Sequence, residues 1–85
     1  MTNLNYNQKH LDFFEKFMSY IHFSKKDIDF PNKSNFIIFD ETDKDFSRQS
    51  KSVFDILMKQ QTPNLIQVNK TESRQSPWIV SLYNI

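Results

Sequence analysis

Four carboxylates, Asp40, Glu41, Asp43 and Asp45, crowd the chain directly after the apolar run Phe36-Ile37-Ile38-Phe39. A carboxylate at the C-terminal tip of an apolar strand stands where open α/β sheets bind ligands, which makes Asp40 the sharpest enzymatic candidate. The four acids together could also hold a hard cation such as Mg²⁺, which takes oxygen ligands, although the EF-hand spacing and its glycine are absent. His10 and His22 are the residues that titrate near neutral pH. Twelve positions apart on a helix, they would point about 120° away from each other and could not chelate one ion from one face. His10 is expected as a partly buried ring stacked on aromatics.

The segment Phe36-Ile37-Ile38-Phe39-Asp40-Glu41-Thr42 resembles the opening of the first motif of haloacid dehalogenase-type phosphoryl-transfer enzymes. That resemblance implies Asp40 as the nucleophile. Thr42 stands where the motif carries its second Asp, however, and no glycine follows. The competing reading is an acidic strand-to-helix turn, whose carboxylates favour the positive end of a helix. No serine falls into a nucleophile, base and orienting-group pattern. The chain also lacks glycine, alanine and cysteine altogether. Without glycine no bare backbone loop can wrap a phosphate, and without cysteine there is no thiolate nucleophile, disulfide or thiolate metal site. The expectation is a protein that is not an enzyme and needs no metal or cofactor.

The basic residues make a different case. Residues 1–45 carry six Lys against eight acids, a balance of −2, whereas residues 46–85 carry five Lys and Arg against two acids, a balance of +3. In that second half Arg48, Lys51 and Lys59 fall on the solvent side of a helix, with Asp55 among them, while Lys70 and Arg74 sit in the hairpin loop. Trp78 and Tyr83 add large apolar groups. These seven residues are the expected partner-binding set. A helix followed by a hairpin with a basic tip is also how winged-helix proteins meet nucleic acid, though such proteins place another helix ahead of the recognition helix.

The elements that position these groups follow from periodicity. Leu11, Phe14, Phe17, Met18 and Ile21, widened by Phe13 and Tyr20, give a helix over Gln8 to Phe23, capped by Asn5 or Asn7. A loop over residues 25–35 is anchored by Ile28 and Phe30. The run Phe36 to Phe39, apolar on both faces, predicts a central strand. Thr42-Asp43-Lys44-Asp45 has the form of a capping box before a second helix ending near Gln61, with Ser47 or Ser50 as alternative caps. Thr62-Pro63-Asn64 stops it. Leu65 to Val68 and Trp78 to Ile85 read as an antiparallel hairpin with a long loop.

The resulting fold class is α+β: one small domain, 1–85, in the order α-β-α-β-β, with a three-stranded mixed sheet and the helices packed on one face. Nine Phe among 85 residues predict a phenylalanine-rich core of Phe14, Phe17, Phe39, Phe54 and Leu57. The uncovered sheet face would take a partner, a target protein or a second copy in a homodimer. No apolar run is long enough to span a bilayer, so a cytoplasmic protein with no membrane partner is expected. The sequons at Asn32 and Asn69 arise by chance in a chain so rich in Asn, Ser and Lys.

The scarcity of residues with GC-rich codons points to an AT-rich genome, and the small size to a phage or another mobile element. The functional expectation is a small non-catalytic binding protein that inhibits or modulates a larger host protein or nucleoprotein, for example a CRISPR-type RNA-guided nuclease, by occupying a surface. The alternative is a winged-helix-like nucleic-acid-binding regulator contacting nucleic acid through the basic second half. A third reading is a metal-dependent phosphotransfer fragment using Asp40.

Overall fold

The structure, a computed structural model, describes residues 3–24 and 30–83. The chain divides into two compact units, one ending at Phe30 and the other beginning at Pro31. Its elements are α1 (Asn3–Ser24), β1 (Asn35–Asp40), α2 (Lys44–Lys59), β2 (Leu65–Lys70) and β3 (Trp78–Tyr83), an α+β arrangement with a mixed three-stranded sheet.

In the first unit α1 starts earlier than its apolar periodicity, so Asn5 and Asn7 lie inside the helix instead of capping it. Side-chain pairing one turn apart accounts for the extension: the Gln8 amide donates to Asp12 at 3.1 Å, and the Tyr6 and His10 rings lie 5.7 Å apart. Phe17 is fully buried, flanked along the helix by half-buried His10, Phe13, Phe14, Tyr20 and Ile21. At 100° per residue these span an arc of about 120°. Leu11 and Met18, expected in the stripe, are exposed. Phe30 is half-buried with its ring 6.2 Å from that of Phe17, whereas Ile28 lies outside the described residues.

In the second unit β1 pairs parallel to β2 and β2 pairs antiparallel to β3. β2 is therefore the central strand, and β1, expected there, is an edge. Apolarity on both faces reports burial on both faces, not a strand's rank in the sheet. Both strands have it: Ile37 and Ile38 are buried in β1, Leu65, Ile66 and Val68 in β2. Successive residues face opposite ways, so these two strands carry buried side chains on both faces.

Phe46 completes the core, which is mainly aliphatic. Of the five residues expected in it only Phe17 is buried. Phe14 of the first unit and Phe39, Phe54 and Leu57 of the second are half-buried; the Phe39 and Phe54 rings pack edge-on to one another and keep a side to solvent. Phe54 of α2 sits edge-on to Phe39 of β1 at 6.2 Å and to Tyr83 of β3 at 5.3 Å. These contacts put α2 on the face carrying the odd-numbered β1 and β3 side chains.

The cap of α2 is Asp43, whose carboxylate accepts the Phe46 N–H at 3.0 Å. Thr42 does not cap, because its N–H and hydroxyl both donate to Asp40 Oδ1, at 3.0 and 2.8 Å. At the other end Thr62 N–H reaches Leu57 C=O and Gln61 N–H reaches Met58 C=O, both at 3.0 Å. This is the paired 6→1 and 5→2 closure of a Schellman motif, with Gln61 in the left-handed position at φ 55°. Lys33 and Asn64 hold the same conformation in the turns before β1 and β2. A chain without glycine makes its left-handed turns from Lys, Gln and Asn.

Candidate interaction surface

A three-stranded sheet has two open edges, and this one treats them differently. In β1 the odd residues point their peptide groups at β2, since Asn35 N–H donates to Asn64 C=O and Glu41 N–H to Lys70 C=O. The even residues therefore point outward. Three of their groups are engaged: Ser50 Oγ donates to Ile38 C=O at 2.6 Å, and Ser47 Oγ accepts the Asp40 N–H at 2.9 Å while donating to Asp40 C=O at 2.7 Å. Ser47 and Ser50, one helical turn apart on α2, thus cover the β1 edge with hydroxyls at Ile38 and Asp40, Ser50 fully buried. Neither serves as the helix cap.

The β3 edge has no such cover. The hydrogen bond from Thr71 N–H to Pro77 C=O fixes the alternation of the hairpin. Ile79, Ser81 and Tyr83 exchange bonds with β2, while the peptide groups of Val80 and Leu82 point away from the sheet. Among the described residues nothing bonds to them. The side chains along the strand are uncharged and, Ser81 apart, largely apolar, with Ile79 47 % exposed, Leu82 50 % and Tyr83 36 %.

The seven residues expected to bind a partner are not brought together. Arg48, Lys51 and Lys59 lie exposed along the outer side of α2, but Arg48 pairs with Asp45 at 3.2 Å and Lys51 with Asp55 at 3.1 Å. Exposed pairs of this kind contribute little stability yet cut the charge of these three cations from +3 to a net +1. Lys70 and Trp78 are half-buried partners at one end of the hairpin, and Arg74 is exposed in the loop between them. Tyr83 lies at the far end of β3, on the opposite sheet face from Trp78 and against Phe54. The hairpin and basic loop are present, but β1 runs into α2 through a three-residue turn, 41–43, with α2 as a crossover between parallel strands. Among the described residues the segment directly ahead of α2 is a strand, where a winged helix has another helix.

The carboxylates are held by local donors. Asp40, 6 % exposed, uses Oδ1 on Thr42, and its C=O accepts the Asp43 N–H at 3.1 Å, forming the turn into α2. Glu41 accepts the Glu72 N–H at 2.8 Å and so ties this turn to the hairpin loop. Among the described residues no group of three His, Cys, Asp or Glu converges as a cation site. His10 carries a pKa lowered from 6.5 by desolvation, so it is a neutral ring beside Tyr6 at pH 7. Among the described residues no helix is long and apolar enough to cross a membrane.

The expected set left out Ile79, Val80 and Leu82, which define the open edge, and Ser47 and Ser50, which close the other. A signal for the first group was present: six consecutive β3 residues without a charge, where exposed edges normally carry one. No protein-family model, curated protein or solved structure matches this chain.

Proposed function

We propose that this chain is a small non-catalytic binding protein that acts by laying the β3 edge and its flanking apolar side chains on a larger protein or nucleoprotein. The observation that carries this reading is the uncharged, half-exposed strand with outward peptide groups at Val80 and Leu82. Main-chain groups of this kind supply affinity in strand addition, and the alternating side chains supply selectivity. Size and codon bias favour a phage or mobile-element setting, in which an inhibitor of a host defence complex such as a CRISPR-type RNA-guided nuclease is a natural role. Arg48, Lys51, Lys59, Lys70 and Arg74 would steer association more than hold the complex, two of them being already paired.

The test is capture from a low-GC bacterial lysate with the wild type and Leu82→Lys side by side, with and without nuclease. A partner that survives nuclease, depends weakly on salt and is lost with Leu82→Lys supports the reading. Nuclease-sensitive capture with a steep log-linear salt slope indicates direct nucleic-acid binding and overturns it. Equal capture by both proteins also overturns it, by removing β3 from the contact.

A further inference from the structure

We infer that, in the absence of its target, the chain pairs with a second copy of itself through β3, the two strands running antiparallel about a two-fold axis at Ser81. The inference rests on the same reading of β3 as a docking edge and assigns that edge a resting occupant.

Register follows from geometry. A two-fold axis normal to the sheet keeps each residue on its own face, so paired positions must share parity. Val80 and Leu82 carry the outward peptide groups, and centring on Ser81 sets Val80 of one copy opposite Leu82 of the other, twice over. All four N–H and C=O groups of each copy's pair are then satisfied. In the same register Ile79 meets Tyr83 at a non-hydrogen-bonded pair, where side chains approach most closely. Every large apolar side chain exposed on β3 thereby gains an apolar partner. Ser81 faces its own copy across the axis, where a small side chain permits close approach.

Two further observations select a closed pair of identical chains. The β1 edge is occupied by Ser47 and Ser50, so β3 of one molecule cannot add to β1 of the next, and the head-to-tail pairing that would grow filaments is blocked. Charge is compatible as well: Lys70 and Arg74 lie at one end of the hairpin, and the antiparallel arrangement sends the two copies' cations to opposite ends.

Sedimentation equilibrium across the micromolar range tests this with the wild type, Val80→Pro and Leu82→Lys. Proline at position 80 removes an N–H that β2 does not use, so the hairpin remains while edge pairing is lost. Leu82→Lys places a charge on a half-exposed position. Twice the chain mass for the wild type and the monomer mass for both folded variants is the expected result. A wild type that stays monomeric, or a dimer that persists in both variants, overturns the inference. Capture assays on the same proteins separate the two readings. A monomeric wild type that still loses its target on Leu82→Lys leaves β3 as the target site and removes the homodimer. A dimer lost in the variants with unchanged target capture does the reverse.

Discussion

The two edges of the sheet carry the same kind of chain and meet opposite fates. β1 reads NFIIFD and β3 reads WIVSLY, both short and both rich in β-branched and aromatic residues. β1 is followed directly by α2, whose Ser47 and Ser50 reach its outer peptide groups. At β3 the outward peptide groups of Val80 and Leu82 have no such cover among the described residues. At β1 the protection comes from the helix that follows the strand, since a crossover helix returns past the strand it has just left.

The largest way to break this contrast is to loosen α2. Phe46 is 2 % exposed in the first turn of the helix, adjacent to Ser47, and Phe46→Ala is expected to cost about 3 to 5 kcal/mol by transfer and cavity terms, read as a lower urea midpoint. For a domain of this size that approaches the whole stability. Phe54→Ala should cost less than Phe46→Ala, because Phe54 is half-buried.

A narrower intervention removes the edge cover alone. Ser50→Ala leaves the buried Ile38 C=O without its hydroxyl and is expected to cost about 1 to 3 kcal/mol. Combined with Ser47→Ala it turns β1 into a second open edge, and concentration-dependent assemblies larger than a pair, seen by light scattering, are the expected consequence. Equal stability and unchanged assembly in the double variant would show that the serines do not guard the edge.

At β3 the stability change should be small. Leu82→Lys replaces a side chain that is 50 % exposed, so the melting free energy should move by no more than about 0.5 kcal/mol while self-association changes. The smallest effect comes from pH and belongs to α1, not to the sheet. Burial holds the His10 pKa below 6.5, so the unfolded chain takes the proton first as pH falls. That contribution to stability is complete above 6.5 and is lost on acidification through the window down to the folded pKa. An NMR titration of His10 should have its midpoint below 6.5, and His10→Gln should flatten this part of the pH profile.

Element types and order were legible because periodicity and turn residues are local signals: the helix after Thr42, the stop at Pro63, the hairpin across residues 69–77. Strand rank was not, since the burial that marks Ile37 and Ile38 arises equally at the centre and at a covered edge. The α2 cap went to Asp43 instead of Thr42 because Asp40 had already engaged the Thr42 hydroxyl, a contact across the turn that spacing does not encode. The interaction set was drawn toward charge, and two of its cations turned out to be paired within α2. What marked β3 was an absence, the missing Lys or Glu of an exposed strand, and absences gain meaning only once the neighbours are known.

The glycine-free Schellman closure at Gln61 has a consequence beyond the fold. A side chain with a Cβ in the left-handed region costs roughly 1 to 2 kcal/mol, a figure that the greater freedom of unfolded glycine partly offsets. Gln61 and Lys33 both occupy that region, at φ 55° and 59°. Changing either to glycine should raise the melting temperature without touching the sheet. The chain therefore keeps an untapped thermal margin in its turns, and the nucleotide composition that encoded it can be read as heat resistance forgone.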